Sequence, residues 1–215
     1  MAHPHWPLFD LVVRSPRLEI RLAREEEFPA VVDVIDGGIH DPATMPFTMP
    51  WTDTPVPQRW RDNYQWWWTQ RSRWSVDDWN FDGVVFHHGQ VVGVQSLRGQ
   101  DFARLRAVET GSWLGQRYQG QGFGKEMRAA ILQLAFAGLG AKVAYSGAFL
   151  DNQRSAGTSR ALGYRENGRE LHLRRGEPDE IVKFRLDRAE WEAQRRPDCS
   201  VEGLEGCLDM FGVEP

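Results

Sequence analysis

Three glycines at alternate positions, in the run Gln119-Gly120-Gln121-Gly122-Phe123-Gly124, stand directly before a segment with helical periodicity. That arrangement suits an anion. Glycine takes positive φ and lets a ligand approach the backbone, while the first amides of a helix lack intrahelical partners and its dipole attracts negative charge. Two nucleotide loops do not fit the spacing. A dinucleotide fingerprint needs glycine three residues after Gly122, where Lys125 stands. A triphosphate P-loop needs glycine five residues before Gly124 and Ser or Thr after Lys125, where Gln119 and Glu126 stand. A phosphate cradle of another kind, or a flexible connector, is left.

Other reactive residue types are sparse. Cys199 and Cys207 are the two cysteines, both in a polar, Gly-containing C-terminal tail. They read as reduced thiols, and with no second pair of Cys or His beside them no metal site is indicated. His87 and His88 fall in a turn before Gly89 and read as solvated. Trp51, Trp60, Trp66, Trp67, Trp68, Trp74 and Trp79 crowd one region. Aromatic walls can line an acceptor site, although such side chains also pack helices onto sheets.

The elements that must position these residues follow from periodicity. Leu18-Glu19-Ile20-Arg21-Leu22 alternates as a half-buried strand. Residues 24–35 read as a helix with acidic Glu25-Glu26-Glu27 at its start, apolar residues at helical spacing, and Gly37-Gly38 at its end. Five prolines make 41–57 a surface loop, and a helix is expected over 58–73. Val84-Val85-Phe86 and Val91-Val92-Gly93-Val94 read as a hairpin, joined by a strand over 107–114. Met127, Ala130, Ile131, Leu134 and Ala135 give the 122–138 helix a continuous apolar face, so its apolar residues are assigned to core. A strand over 143–149, a short helix capped by Asp151 or Asn152, and strands around 163–173 and 181–186 complete the pattern. The stretch 187–196 reads as a solvated helix.

The 215 residues fit one domain, with 41% hydrophobic and 26% charged residues marking a globular chain. A net charge of -4 argues against nucleic-acid binding, which needs a concentrated cationic surface. No apolar run approaches a membrane span and the N-terminus lacks a leader pattern, so a cytoplasmic location without membrane association is expected.

Gln119-x-x-Gly122-x-Gly124 resembles the acyl-CoA motif of the GNAT superfamily of N-acyltransferases. The likeness covers 16–186, leaving 187–215 as a C-terminal extension of a single domain spanning 1–215. Ser15-Pro16-Arg17-Leu18-Glu19-Ile20-Arg21-Leu22 looks like the first strand of the RimJ/RimL-type branch, and Glu109-Thr110-Gly111-Ser112-Trp113-Leu114 like its fourth. Gly124-Lys125-Glu126-Met127 matches its helix start, and Asn152-Gln153-Arg154-Ser155 with Leu162-Gly163-Tyr164 matches its closing motif. Ile39-His40-Asp41-Pro42, Met45-Pro46-Phe47 and Met49-Pro50-Trp51 look like an actinobacterial subgroup associated with succinyl-CoA.

The resemblance implies an α/β (α+β) GNAT fold: a mixed, mostly antiparallel twisted sheet of about seven strands flanked by helices, with a V-shaped splay between the fourth and fifth. It implies acetyl-CoA or succinyl-CoA as co-substrate, no metal, and an amine acceptor: a protein N-terminus, a lysine or a small amine. Gln119, Gly120, Gln121, Gly122, Phe123, Gly124 and Lys125 would bind pyrophosphate; Trp113, Leu114, Asn152 and Ser155 would contact the rest of the donor. Glu109 stands where relatives carry a general base. Ser159 stands where many place a tyrosine acid, and would assist the departing thiolate by hydrogen bonding. His40, Phe47 and Trp51 fall by the expected acceptor cleft. An alternative is a non-catalytic acyl-CoA sensor or interaction module. A homodimer is expected, with a second copy covering an exposed sheet edge and the tail around Cys207-Leu208-Asp209-Met210-Phe211.

Overall fold

In the computed structural model, which describes residues 3–196 and 198–214, two short strands open the chain: β1 (Val12–Arg14) and β2 (Glu19–Arg21). Met1, Ala2, Pro197 and Pro215, counted above within the single domain, lie outside the described residues. Helix α1 (Phe28–Asp36) follows an acidic 3-10 turn at Glu25–Glu27 and stops at Gly37; after the proline loop comes α2 (Gln58–Ser72). Strands β3 (Asp78–His87) and β4 (Gln90–Gln100) make a long hairpin, and a one-turn helix α3 (Phe102–Leu105) leads into β5 (Ala107–Leu114). Helix α4 (Phe123–Gln133) ends in a π turn, Leu134–Gly138, before β6 (Val143–Phe149) and α5 (Gln153–Ala161). The chain continues through β7 (Arg165–Arg174), β8 (Glu177–Asp187), α6 (Arg188–Ala193) and β9 (Ser200–Glu202).

All the strands form one sheet in the order β7-β8-β6-β5-β4-β3-β2-β1-β9. Its faces are covered by two apolar clusters. Phe28, Val31 and Ile35 of α1 with Trp67 of α2 pack on Val84, Phe86 and Val94; Phe123, Met127, Ala130 and Ile131 of α4 pack with Val85, Val92 and Val108 on the other face. Coverage on both sides explains why β3 reads as an almost unbroken apolar run from Phe81 to Phe86 rather than as an alternation.

Among the described residues, β5 and β6 form the parallel pair, and their ladder is short: Ala107↔Val143, Val108↔Ala144 and Glu109↔Tyr145. Past Glu109, β5 stays with β4 up to Leu114, while past Tyr145, β6 stays with β8 up to Phe149. The two central strands therefore diverge, as the resemblance implies. Thr110 bridges the start of the opening by donating its hydroxyl to the Tyr145 carbonyl at 3.1 Å.

The sheet has nine strands rather than about seven. The additional ones, β1 and β9, are each three residues long and pair with one another. Neither carries enough alternation to stand out locally; β1 is held between β2 and β9, and β9 takes its main-chain partners from β1. The tail is correspondingly not a solvated appendage. Cys199 and Cys207 are buried, and fully buried Phe211 packs edge-on against Trp79 at 4.9 Å and Trp74 at 5.3 Å. Trp191 of α6 stacks on Phe136 at 5.0 Å, so that helix also joins the core. Burial of such rings contributes about 1.5–3 kcal/mol each. The tail thus covers the β1 edge itself, and the sheet ends at β9 and β7.

The tryptophans divide. Trp67 and Trp79 are core, and Trp74 packs against it. Trp60, Trp66 and Trp68 are about half exposed and donate their indole N–H to Asp36, Asp82 and Glu25.

Candidate functional site

The glycine loop reaches α4 as a cradle. Gly120 and Gly122 take φ of +75° and +82°, and Gly122 is the N-cap residue. The first helical bond runs from the Glu126 amide to the Gly122 carbonyl at 3.1 Å. The amides of Phe123, Gly124 and Lys125 are therefore left for an anion at the positive end of the helix dipole. A side chain at Gly122 would be strained by φ rather than by crowding, since its Cβ would meet only the Arg17 Nη2 at 3.4 Å. These residues fit a pyrophosphate.

What fixes the loop is a long-range clamp that sequence reading does not find. Glu126, buried in the first turn of α4, accepts from Ser15 Oγ at 2.8 Å, from the Arg17 amide at 3.0 Å and from Arg17 Nε at 2.7 Å. Burial alone would raise the Glu126 pKa, but the hydrogen bonds from Arg17 and Ser15 and the Arg17 charge outweigh it and hold the carboxyl below its ordinary value. Arg17 also donates to the Gln121 carbonyl at 3.2 Å and lies over the Phe123 ring at 4.6 Å. His87 is not free in its turn: its ring packs on Phe123 at 4.7 Å.

Gln119 acts as a brace. Its Nε2 donates to the carbonyls of Ile39 at 2.7 Å and Leu114 at 2.9 Å, and its Oε1 accepts from Arg154 of α5 at 2.9 Å. Gln121 donates to the Arg117 carbonyl at 2.9 Å, and Lys125 is exposed beside the loop. Asn152 caps α5, its Oδ1 accepting from the Ser155 amide at 3.2 Å. That cap holds the first turn of α5 across the opening from β5.

On the face of β5 away from α4, an aromatic chain runs from the proline loop to the opening. His40, Phe47, Trp51 and Trp113 follow one another at ring separations of 5.7, 5.3 and 6.3 Å. Trp51 is thus the member of the tryptophan-rich stretch whose ring meets Trp113 on β5. Both His40 nitrogens are engaged: Nδ1 donates to the Asp41 carbonyl at 2.9 Å, and Nε2 lies 2.7 Å from Thr52 Oγ1, accepting in the neutral form.

Glu109 sits at the last β5–β6 pair, half exposed, with Lys183 Nζ at 3.5 Å. Gly111 follows on the same face, and nothing lies within 4 Å of where its Cβ would be, which leaves a notch beside the carboxylate. Ser159 is placed differently from these. It is fully buried, and its hydroxyl donates to Ser146 Oγ at 3.4 Å. Asp82, which sequence reading passes over, lies two strands across from Gly111, opposite Ser96, and accepts from Trp66 Nε1 at 2.7 Å and Ser96 Oγ at 2.5 Å. Burial pushes its carboxyl up, against these bonds. A carboxylate inside an apolar stretch, Phe81-Asp82-Gly83-Val84, was the available signal.

The two cysteines stand apart from this region. Burial pushes Cys199 up to about 11 and Cys207 to about 12, so neither is a thiolate near neutrality.

Comparison with known proteins falls on the same elements. A family model described as an acetyltransferase (GNAT) domain matches residues 17–165, from the turn before β2 to the start of β7. Among solved structures, Mycobacterium smegmatis RimJ, in complex with CoA-disulfide, superposes with a TM-score of 0.72 at 18% identity, covering 96% of each chain. The ribosomal L7/L12 α-N-protein acetyltransferase RimL, in complex with coenzyme A, gives 0.66 at 18% identity over 82% of this chain and 97% of its own. A GNAT-family acetyltransferase from Bacillus anthracis gives 0.65 at 15% identity over 83% and 99%. Those identities speak for the shared fold, and the family match spans more than half of the sequence: the chain belongs to the GNAT acetyltransferase family.

Proposed function

We propose that this protein is an acyl-CoA-dependent N-acyltransferase that moves an acetyl or succinyl group to a primary amine by direct attack in a ternary complex. The observation that carries the reading is the meeting of two features: free amides at the start of α4, and a slot where β5 and β6 part beyond Glu109 and Tyr145. An anionic head and an extended thioester arm fit such a junction together. The backbone of residues 119–125 holds the pyrophosphate, β5 around Trp113 and Leu114 lines one side of the arm, and the Asn152 end of α5 lines the other.

Glu109 takes a proton from the acceptor ammonium, directly or through water. The free amine then attacks the thioester carbonyl; the C–N bond forms, the C–S bond breaks, and CoA leaves as thiolate while the second proton lost by the amine nitrogen passes to that sulfur or to water. Direct attack is favoured because both cysteines are buried with raised pKa values, which leaves no thiolate for an acyl-enzyme. The aromatic chain His40-Phe47-Trp51-Trp113 walls the acceptor side. The acceptor is a primary amine of a protein N-terminus, as in the name of the structurally similar RimL, or of lysine or a small amine.

The test is incubation with acetyl-CoA or succinyl-CoA and a panel of amines, with released thiol followed by a disulfide reagent. Amine-dependent thiol release, and acylated product by mass spectrometry, supports the reading. CoA binding without transfer across the panel points instead to an acyl-CoA-binding module, and absence of CoA binding overturns both.

A further inference from the structure

Within the slot lies a cation that the reaction above does not use. Arg128 projects from α4 and is 3% exposed. Its Nη2 donates to Ser112 Oγ on β5 at 2.9 Å, its Nη1 to Ser146 Oγ on β6 at 3.0 Å, and its Nε to Gln95 Oε1 on β4 at 3.4 Å. All three partners are uncharged. Burial draws the guanidinium pKa downward, yet arginine stays protonated in proteins. A buried charge without a carboxylate is costly, and an apolar side chain there would join Met127, Ala130 and Ile131 in the core. Stability alone does not call for it.

Its partners show what it does. Ser112 and Ser146 both lie past the last ladder pair, Glu109↔Tyr145, one on each diverging strand. Where main-chain bonds no longer join β5 to β6, the planar guanidinium joins them through side chains at a set spacing. Gln95 extends the arrangement by donating to the carbonyls of Gly111 at 2.9 Å and Ser96 at 3.1 Å, and Ser159 hangs from Ser146. Arginine's rigid fork can reach both serines at once; a lysine ammonium on a flexible stem cannot hold the same span.

We propose that Arg128 is a positioning residue that sets the width of the β5–β6 slot and so preforms it for the thioester arm of the donor. This rests on the acyl-CoA reading above.

The test compares wild type with Arg128→Met, Arg128→Lys, Ser112→Ala and Ser146→Ala, using calorimetric CoA binding and steady-state kinetics on protein shown to be folded. Arg128→Met is expected to raise the CoA Kd and the donor KM about tenfold or more, about 1.4 kcal/mol, while the amine KM at saturating donor changes less than about threefold. Arg128→Lys should recover thermal stability without recovering CoA affinity. Each serine variant should weaken CoA several-fold, and should add little to Arg128→Met. If Arg128→Met fails to fold, the serine variants decide. Unchanged CoA Kd and donor KM in the folded variants would overturn the proposal, as would full recovery of affinity by lysine. A wild-type protein that binds no CoA would overturn the acyl-CoA reading instead.

Discussion

Replacing Glu126 with alanine removes the acceptor that joins the Ser15–Leu18 turn to the first turn of α4. Three hydrogen bonds of 2.7–3.0 Å to a carboxylate that is 6% exposed are lost with it. Breaking a buried pair by removing one partner costs about 3–5 kcal/mol, but here the Arg17 side chain is 44% exposed and water can solvate it afterwards. The lower end applies, about 3 kcal/mol, which for a chain of this length is a fall of about 6–12 °C in Tm. Urea unfolding followed by tryptophan fluorescence, with a thermal scan, measures both. The pH dependence has a definite sign. The Glu126 pKa is held below its unfolded value of about 4.3, so its contribution is complete above that pH and is lost as pH falls through the folded value. The gap between wild type and Glu126→Ala should be constant from about pH 6 to 8 and shrink below about pH 4. A loss under about 1 kcal/mol at neutral pH, or a gap that persists undiminished in acid, would refute the clamp.

Gly122→Ala places a side chain at φ +82° and should cost about 1–2 kcal/mol of stability while weakening CoA binding about tenfold, read by thermal unfolding and calorimetry. Glu109→Gln should lower kcat/KM about 100-fold or more and leave the CoA Kd unchanged, because the carboxylate faces the acceptor notch rather than the loop. In the native protein near neutral pH, a disulfide reagent should find Cys199 and Cys207 unreactive; both should react at once after denaturation.

Features set by neighbours in sequence were legible before any coordinates. The glycine spacing and the apolar stripe from Met127 to Ala135 place the loop at a helix start, and of the two possible caps, Asp151 and Asn152, it is Asn152 that caps α5. The period-two and apolar runs locate seven of the strands. Features set by distant partners were not. Nothing in Ser15-Pro16-Arg17 points to Glu126, more than 100 residues away, and β9 is a strand only through its pairing with the distant β1. Arg128 left a trace, a cation amid Met127, Ala129, Ala130 and Ile131, but its serines lie on strands that only the fold brings together. Ser159 takes its expected role from the family resemblance, and the inward turn of its hydroxyl onto Ser146 depends on a strand that the local sequence around Ser159 does not indicate.

The pairing of β9 with β1 also has a consequence for biosynthesis. A ribosome adds about 5–20 residues per second, so β1 emerges early and waits, on the order of ten seconds or more, for the segment that completes its edge. During that interval Trp74 and Trp79 lack Phe211, and Arg14 lacks Glu202, its 3.0 Å partner on β9. A nascent chain halted before residue 200 therefore presents an open strand edge beside uncovered aromatic rings. C-terminal truncations should behave as arrested folding intermediates that need chaperone shelter, not as shortened enzymes.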